Sequence, residues 1–186
     1  MIDRKDFSNM AKELQRADEV REQTIALSRE IIRLSKRIIY SVHRDDLAAA
    51  RSGISEIRSK VRLLKEKGDA SEGHFRTAMQ EYVEAACLFS FAESKRLPTK
   101  VQLAVEAEHY LLGICDLSGE LVRLAINSAV KGDADKAMFI KDFLNELYGE
   151  LLNFDFRNGD LRRKFDGIKY DLQKLEDLAF ELSGRK

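Results

Sequence analysis

The sequence predicts an all-α fold, a single domain over residues 1–186 built as a bundle of about six to seven long helices. Three observations carry this. Backbone punctuation is almost absent, with 10 glycines and 1 proline in 186 residues, whereas a β-sandwich or barrel needs a turn signal every ten or so residues. Hydrophobic residues make up 44% and charged residues 34%, a balance that excludes both a disordered chain and a membrane-embedded one. Apolar residues recur at three- and four-residue steps through most of the length, which marks one face of a helix. A chain of this length buries a sizeable core in one domain. No internal repeat, low-complexity tract or linker divides it.

The elements follow in order. From Asp6 to about His43, the positions Phe7, Met10, Leu14, Ala17, Val20, Thr24, Leu27, Ile31, Leu34, Ile38 and Ile39 form one face of a helix longer than thirty residues. Asp45 and Asp46 are caps for a second helix carrying Leu47, Ala50, Ile54, Ile57, Val61 and Leu64, which ends at Lys65-Glu66-Lys67-Gly68. Ser71 is placed to cap a third helix that runs to about Leu97, where Pro98 closes it. Thr99 caps a fourth, continuous to about Val130 and broken by Lys131-Gly132-Asp133. A fifth spans about Ala134 to Leu152, and a sixth about Gly159 to Leu182. The apolar run from Ala137 to Leu152 offers more hydrophobic surface than one small domain hides, which points to self-association.

Charge narrows the function classes. The chain holds 32 basic and 32 acidic residues, so overall charge gives no argument for a nucleic-acid partner. Its distribution is uneven: residues 1–67 hold 16 Lys/Arg against 11 Asp/Glu (+5), residues 68–130 hold 5 against 9 (−4), and residues 131–186 hold 11 against 12 (−1). Arg29, Arg33, Lys36, Arg37 and Arg44 crowd the end of the first helix. They form either a solvated face or a phosphate-binding surface. The two cysteines, Cys87 and Cys115, sit singly in apolar runs, which reads as buried, reduced thiols rather than a zinc or disulfide framework. With no apolar leader at the N-terminus and no long uncharged stretch, the expectation is a cytoplasmic protein without a membrane partner.

Two carboxylate pairs require explanation. In the third helix, Glu81 and Glu84 stand about 60° apart on a segment that is apolar nearly all round. In the fourth, Asp116 and Glu120 lie on a narrow polar line with His109, Arg123 and Asn127. Such acids form a wet face or ion-pair to another helix, or else a cation neutralises them, because adjacent buried carboxylates repel. Gly113 and Gly119 each cost roughly 1 kcal/mol relative to alanine inside a helix, so a close approach is expected at both. If the two helices pack face to face, three or four carboxylates meet. Helix bundles build di-metal sites in this way, and an all-oxygen cluster without Glu-x-x-His pairs suits Mg²⁺ or Mn²⁺ in phosphoryl chemistry.

At these residues the sequence resembles the translin family, and within it the nuclease branch typified by translin-associated factor X (TRAX). The matching segments are Leu27-Ser28-Arg29-Glu30, Ser35-Lys36-Arg37-Ile38, His43-Arg44, His74-Phe75-Arg76 and Gln80-Glu81-Tyr82-Val83-Glu84-Ala85. They continue through Tyr110-Leu111-Leu112-Gly113, Asp116-Leu117-Ser118-Gly119-Glu120-Leu121, Ile126-Asn127-Ser128 and Gly132-Asp133. The resemblance implies an all-helical subunit of an octameric shell that cleaves single-stranded RNA with Mg²⁺ or Mn²⁺. Its catalytic acids map onto Glu81, Glu84 and Asp116, with Glu120 as the fourth. The chain departs from the family in being compact, which leaves open assembly with itself or with a translin-like partner.

Three function classes follow. The first is a metal-dependent endoribonuclease in which Glu81, Glu84, Asp116 and Glu120 hold the ion and are catalytic. The second is a translin-like binder of single-stranded RNA or DNA whose acids are structural. The third is a helical scaffold, which leaves the carboxylate pairs unexplained. For the RNA itself the candidate contacts are Arg37, Arg44, His74, Arg76 and Arg123, with His74 and Arg76 favoured by their nearness in sequence to Glu81.

Overall fold

A computed structural model describes residues 2–184. It contains seven helices among those residues and no strand: α1 Arg4–His43, α2 Leu47–Lys67, α3 Gly73–Ser94, α4 Lys100–Leu103, α5 Ala107–Val130, α6 Ala134–Leu151 and α7 Asp160–Ser183. The single-bundle expectation holds, with one element more than the sixfold reading. Thr99 does start a helix, through a capping box in which its hydroxyl accepts from Gln102 N and the Gln102 side chain accepts from Thr99 N. That helix lasts one turn. Ala104 then takes a left-handed conformation (φ 54°), and α5 begins only at Ala107, so the expected continuous helix is two pieces.

Capping chemistry explains the other boundaries. Asp46 Oδ1 accepts from Ala49 N at 3.0 Å and starts α2, while Asp45 adopts φ 62° in the turn before it. Ser71 does not cap α3. Asp69 competes for it, accepting from both Ser71 N (2.8 Å) and Ser71 Oγ (2.7 Å), and α3 begins after Glu72 with no side-chain cap. At its other end α3 stops at Ser94, short of the expected Leu97, because Lys95 turns left-handed at φ 60°. Thr24 anchors this corner to α1, its hydroxyl accepting from Asp69 N at 2.9 Å.

The core is one continuous cluster with α3 and α5 at its middle. α1 packs on α2 and α3; α5 packs on α3, α6 and α7. α3 runs through this core, with Ala78, Met79, Tyr82, Val83, Ala85, Cys87, Leu88 and Phe91 all buried. Gly113 sets the α3–α5 separation: a Cβ there would stand 2.7 Å from Gln80 O and 2.6 Å from Val83 Cβ. At Gly119 the expected close approach is absent, since the nearest atom to a Cβ is Asp171 Oδ2 at 3.9 Å.

Only half of α1 joins the bundle. From Arg4 to Gln23 every residue is exposed, a rod about 30 Å long at 1.5 Å per residue. Its apolar stripe is therefore uncovered, with Phe7 59% and Leu14 68% exposed. In α6, where surplus apolar surface was expected, Ala137, Ile140, Leu144 and Leu151 are instead buried, leaving Phe139 and Leu152 outside. No helix among the described residues is long and apolar enough to cross a membrane.

Candidate carboxylate site and basic groove

The α3–α5 contact brings the two carboxylate pairs together beside α1. Glu81 and Glu84 of α3 and Glu120 of α5 line one cavity of about 330 Å³ with Lys36, Ile39 and Tyr40 of α1 and Arg123 of α5. Asp116 stands one turn from Glu120 and acts on both α3 acids through its charge. All four carboxylates are half-buried.

Their environments differ. Burial raises the Glu81 carboxyl above its ordinary value; Asp116 and Glu120 add to this, and Lys36 and Lys164 oppose it. Glu84 is pushed furthest, to about 8, by burial and then by the charges of Asp116, Glu81 and Glu120. Glu120 moves the other way because His43 donates from Nε2 to its Oε2, and Arg123 Nη1 lies 3.7 Å from the same oxygen. Asp116 accepts from Gln80 Nε2 and, at 2.5 Å, from Lys164 Nζ of α7. Two acids thus have cationic partners and two have none among the described residues. The pair left without them, Glu81 and Glu84, is the pair whose proton affinity rises.

The sequence-predicted RNA contacts divide. Arg37 lies with Arg29, Arg33 and Lys36 along a groove of about 530 Å³ on α1, floored by Ile32 and closed by Tyr40. Lys36 and Tyr40 belong to both this groove and the carboxylate cavity, so the basic surface opens into the acids. Arg44 lies over the Tyr40 ring at 5.5 Å from its centroid. Arg123 lines the cavity. His74 and Arg76 are not brought there, which corrects the ranking made on sequence proximity. His74 is exposed two turns before Glu81, about 10 Å along the axis. Arg76 is turned about 140° around α3 from Glu81. It donates to Glu108 at 2.9 Å and lines a separate cavity beside Arg157 and Asp160. His109, on the same polar line as Asp116, packs against Phe75 at 6.0 Å between ring centroids, away from the acids.

Sequence reasoning missed His43, Gln80 and Lys164 as site residues. His43 carried a signal, since it continues the buried face through Ile39. Lys164 carried none: it belongs to a run of three cations, Arg162 to Lys164. Both thiols are buried as expected, and burial raises each to about 12, which keeps them inert.

Among the described residues, no group of three His, Cys, Asp or Glu side chains is arranged to hold a metal ion. The donor chemistry nonetheless fits a hard divalent cation. The four carboxylates offer oxygen ligands, the type a hard divalent cation prefers, and burial followed by the charges of Asp116, Glu81 and Glu120 raises the proton affinity of Glu84.

The chain is similar to known proteins over nearly its whole length. Translin of Gallus gallus is 28% identical over 200 residues, covering 95% of this chain and 86% of the relative. Translin-associated protein X of Mus musculus is 27% identical over 226 residues, covering 96% and 78%. Among solved structures, the crystal structure of apo-NeC3PO superposes with a TM-score of 0.88 at 30% identity, over 97% of each chain. The Translin family model matches residues 19–186, from the point where α1 approaches the bundle onward, and the chain belongs to that family.

Proposed function

We propose that this protein is a TRAX-like, Mg²⁺- or Mn²⁺-dependent endoribonuclease that cleaves single-stranded RNA within a homo-oligomeric, octameric shell. The observation that carries the reading is the shared wall of Lys36 and Tyr40, which joins a basic groove to a cavity lined by the half-buried Glu81, Glu84 and Glu120, with Asp116 one turn from Glu120. A strand held by phosphate contacts along Arg29, Arg33 and Arg37 is led to Glu81 and Glu84. Those two residues would hold the ion, with Asp116 and Glu120 beside them. Such an ion, when bound, lowers the pKa of water and neutralises charge at a phosphodiester. The chain's own residues supply the rest. Lys36 and Arg123 attract and orient the phosphate at the cavity mouth, His43 fixes the Glu120 carboxylate, and Lys164 with Gln80 fixes that of Asp116. Glu84 must release its proton for the cluster to take a cation.

A second reading, a non-catalytic binder of single-stranded RNA or DNA of the translin type, is favoured by the absence of a preassembled ligand group and by the similarity to translin itself. Labelled RNA oligonucleotides incubated in Mn²⁺ and in EDTA separate the two. The nuclease reading expects cleavage in Mn²⁺ alone, abolished by Glu81→Ala, Glu84→Ala or Asp116→Ala with helicity intact. Full activity in Glu84→Ala, or a gel shift with no cleavage in any metal, selects against it. A translin-like subunit, if the assembly includes one, would copurify in stoichiometric amount.

A further inference from the structure

A second row of cations lies on another face of the bundle. Along α2, Arg51, Arg58, Arg62 and Lys65 follow one side of the helix, spanning fifteen residues and about 21 Å. Between α2 and α3 the first three line a groove of about 500 Å³ with Ser55, Ser59 and, from α3, Phe89 and Glu93. The row continues into a smaller adjoining cavity of about 220 Å³, where Arg58, Arg62 and Lys65 face Tyr82 and, from α4, Gln102. Glu93 is the one acid lining either cavity, and it is taken up by Arg51 at 2.5 Å. Arg58, Arg62 and Lys65 have no carboxylate partner among the described residues.

The groove is separate from the carboxylate cavity. Phe89 and Glu93 lie on the α3 face that carries Tyr82, 80–120° around the helix from Glu81, and no residue is common to the two sites. The apolar side chains on its floor, Ile54, Phe89, Val61 and Leu103, all belong to the core. The hydrogen-bond donors that α2 brings to the row are guanidinium, ammonium and hydroxyl. Guanidinium forks match phosphate oxygens two at a time, and a row of them in line matches successive phosphates of one strand.

We propose that the α2–α3 groove is a second binding site for the phosphodiester backbone of single-stranded RNA, holding a length of strand outside the carboxylate cavity. The inference rests on the reading of the protein as one that acts on RNA. It assigns that site cations that no contact of the cleavage site uses. A strand long enough to reach both surfaces gains affinity from the linked second contact, whereas a short one occupies the cavity alone.

The test is fluorescence anisotropy of a labelled 20-nucleotide RNA in EDTA, across a salt series, with the unaltered protein, Arg58→Gln/Arg62→Gln, and the control Lys141→Gln/Lys174→Gln. The groove variant is expected to bind at least tenfold more weakly. The slope of log affinity on log salt should fall by about 1.4, at about 0.7 per phosphate contact for a single strand. Cleavage of a five-nucleotide RNA in Mn²⁺ should be unchanged. Unaltered affinity in the groove variant overturns the inference while leaving the nuclease reading intact, as does an equal loss in the control. A change in mass by light scattering in the groove variant also overturns it, marking the face as a contact between subunits. Failure of the unaltered protein to bind or cut any RNA overturns both readings.

Discussion

Lys164 of α7 reaches across the bundle to donate to Asp116 of α5 at 2.5 Å, and it is the one cation whose charge opposes the upward displacement of Glu84. The ammonium neutralises Asp116 directly and the two α3 acids, Glu81 and Glu84, only at a distance. Residual like-charge repulsion therefore falls on Glu84.

The first prediction concerns pH and stability. The Glu84 carboxyl lies at about 8 in the folded chain, against an ordinary 4.5. Between those values the folded state retains a proton that the unfolded state has released, so ion-free stability falls as pH rises through this window and levels off above it. Glu84→Gln removes that dependence. Relative to their difference at pH 5, the variant should gain about 3–4 kcal/mol on the parent by pH 8, by urea denaturation in EDTA. A variant less stable than the parent at pH 8 would show that Glu84 is held by a cation.

The second prediction separates the two glycines of α5. Gly113→Ala would drive a methyl group into Gln80 O and Val83 Cβ, and backbone cannot step aside as a flexible side chain can. A cost of about 2–3 kcal/mol follows from overpacking. The widened α3–α5 gap would also part Glu81 and Glu84 from Asp116 and reduce cleavage. Gly119→Ala meets its nearest atom at 3.9 Å and sits on an exposed face, so it should gain up to about 1 kcal/mol of helix propensity. Thermal unfolding of the two variants measures the contrast, and equal effects would contradict the packing described.

The same pair shows what was legible in the sequence. Both glycines broke the helical pattern equally, and only the partner helix decides which one is a contact. Glu81 and Glu84 were legible because an acid pair on an otherwise apolar segment conflicts with local physics. Asp116 and Glu120 were legible as a polar line. That the lines converge depends on how α3 lies on α5, which periodicity does not carry. Ser71 and Thr99 both looked like caps, but Asp69 outcompetes a backbone amide for Ser71, and Thr99 initiates a helix that ends after one turn. Arg76 seemed close to the acids because sequence separation was read without rotation around the helix axis.

The third prediction is assembly. The uncovered stripe of α1, Phe7, Met10, Leu14 and Val20, is an apolar face on an exposed rod, and a second copy of the chain is its expected cover. Light scattering should give a mass near eight times 21.3 kDa. Phe7→Glu/Leu14→Glu should lower that mass while leaving circular dichroism helical, because neither residue contributes to the core. A clean monomer of the unaltered protein at micromolar concentration would contradict the proposed shell.

The last prediction concerns the form of the RNA. Glu81, Glu84 and Glu120 lie mid-helix and half-buried, lining a cavity of about 330 Å³ together with Lys36, Tyr40 and Arg123. An A-form duplex is a stiff rod about 20 Å wide, and its phosphates are held on that rod's surface, so they approach a recess of this size poorly. A single strand rotates about its backbone and presents one phosphate to Glu81 and Glu84 while its neighbours lie along Arg33 and Arg37. Binding should weaken with salt, because each phosphate contact releases a counterion. Base preference should be slight, since Tyr40 is the one aromatic ring lining the groove and the cavity, and Arg44 already lies over it. Matched RNA strands, annealed and unannealed, followed in Mn²⁺ in one time course, should show the single strand cut at least tenfold faster. Equal rates on the two forms would mean that the phosphate reaches the acids without entering the cavity, and that Lys36 and Tyr40 do not form its entrance.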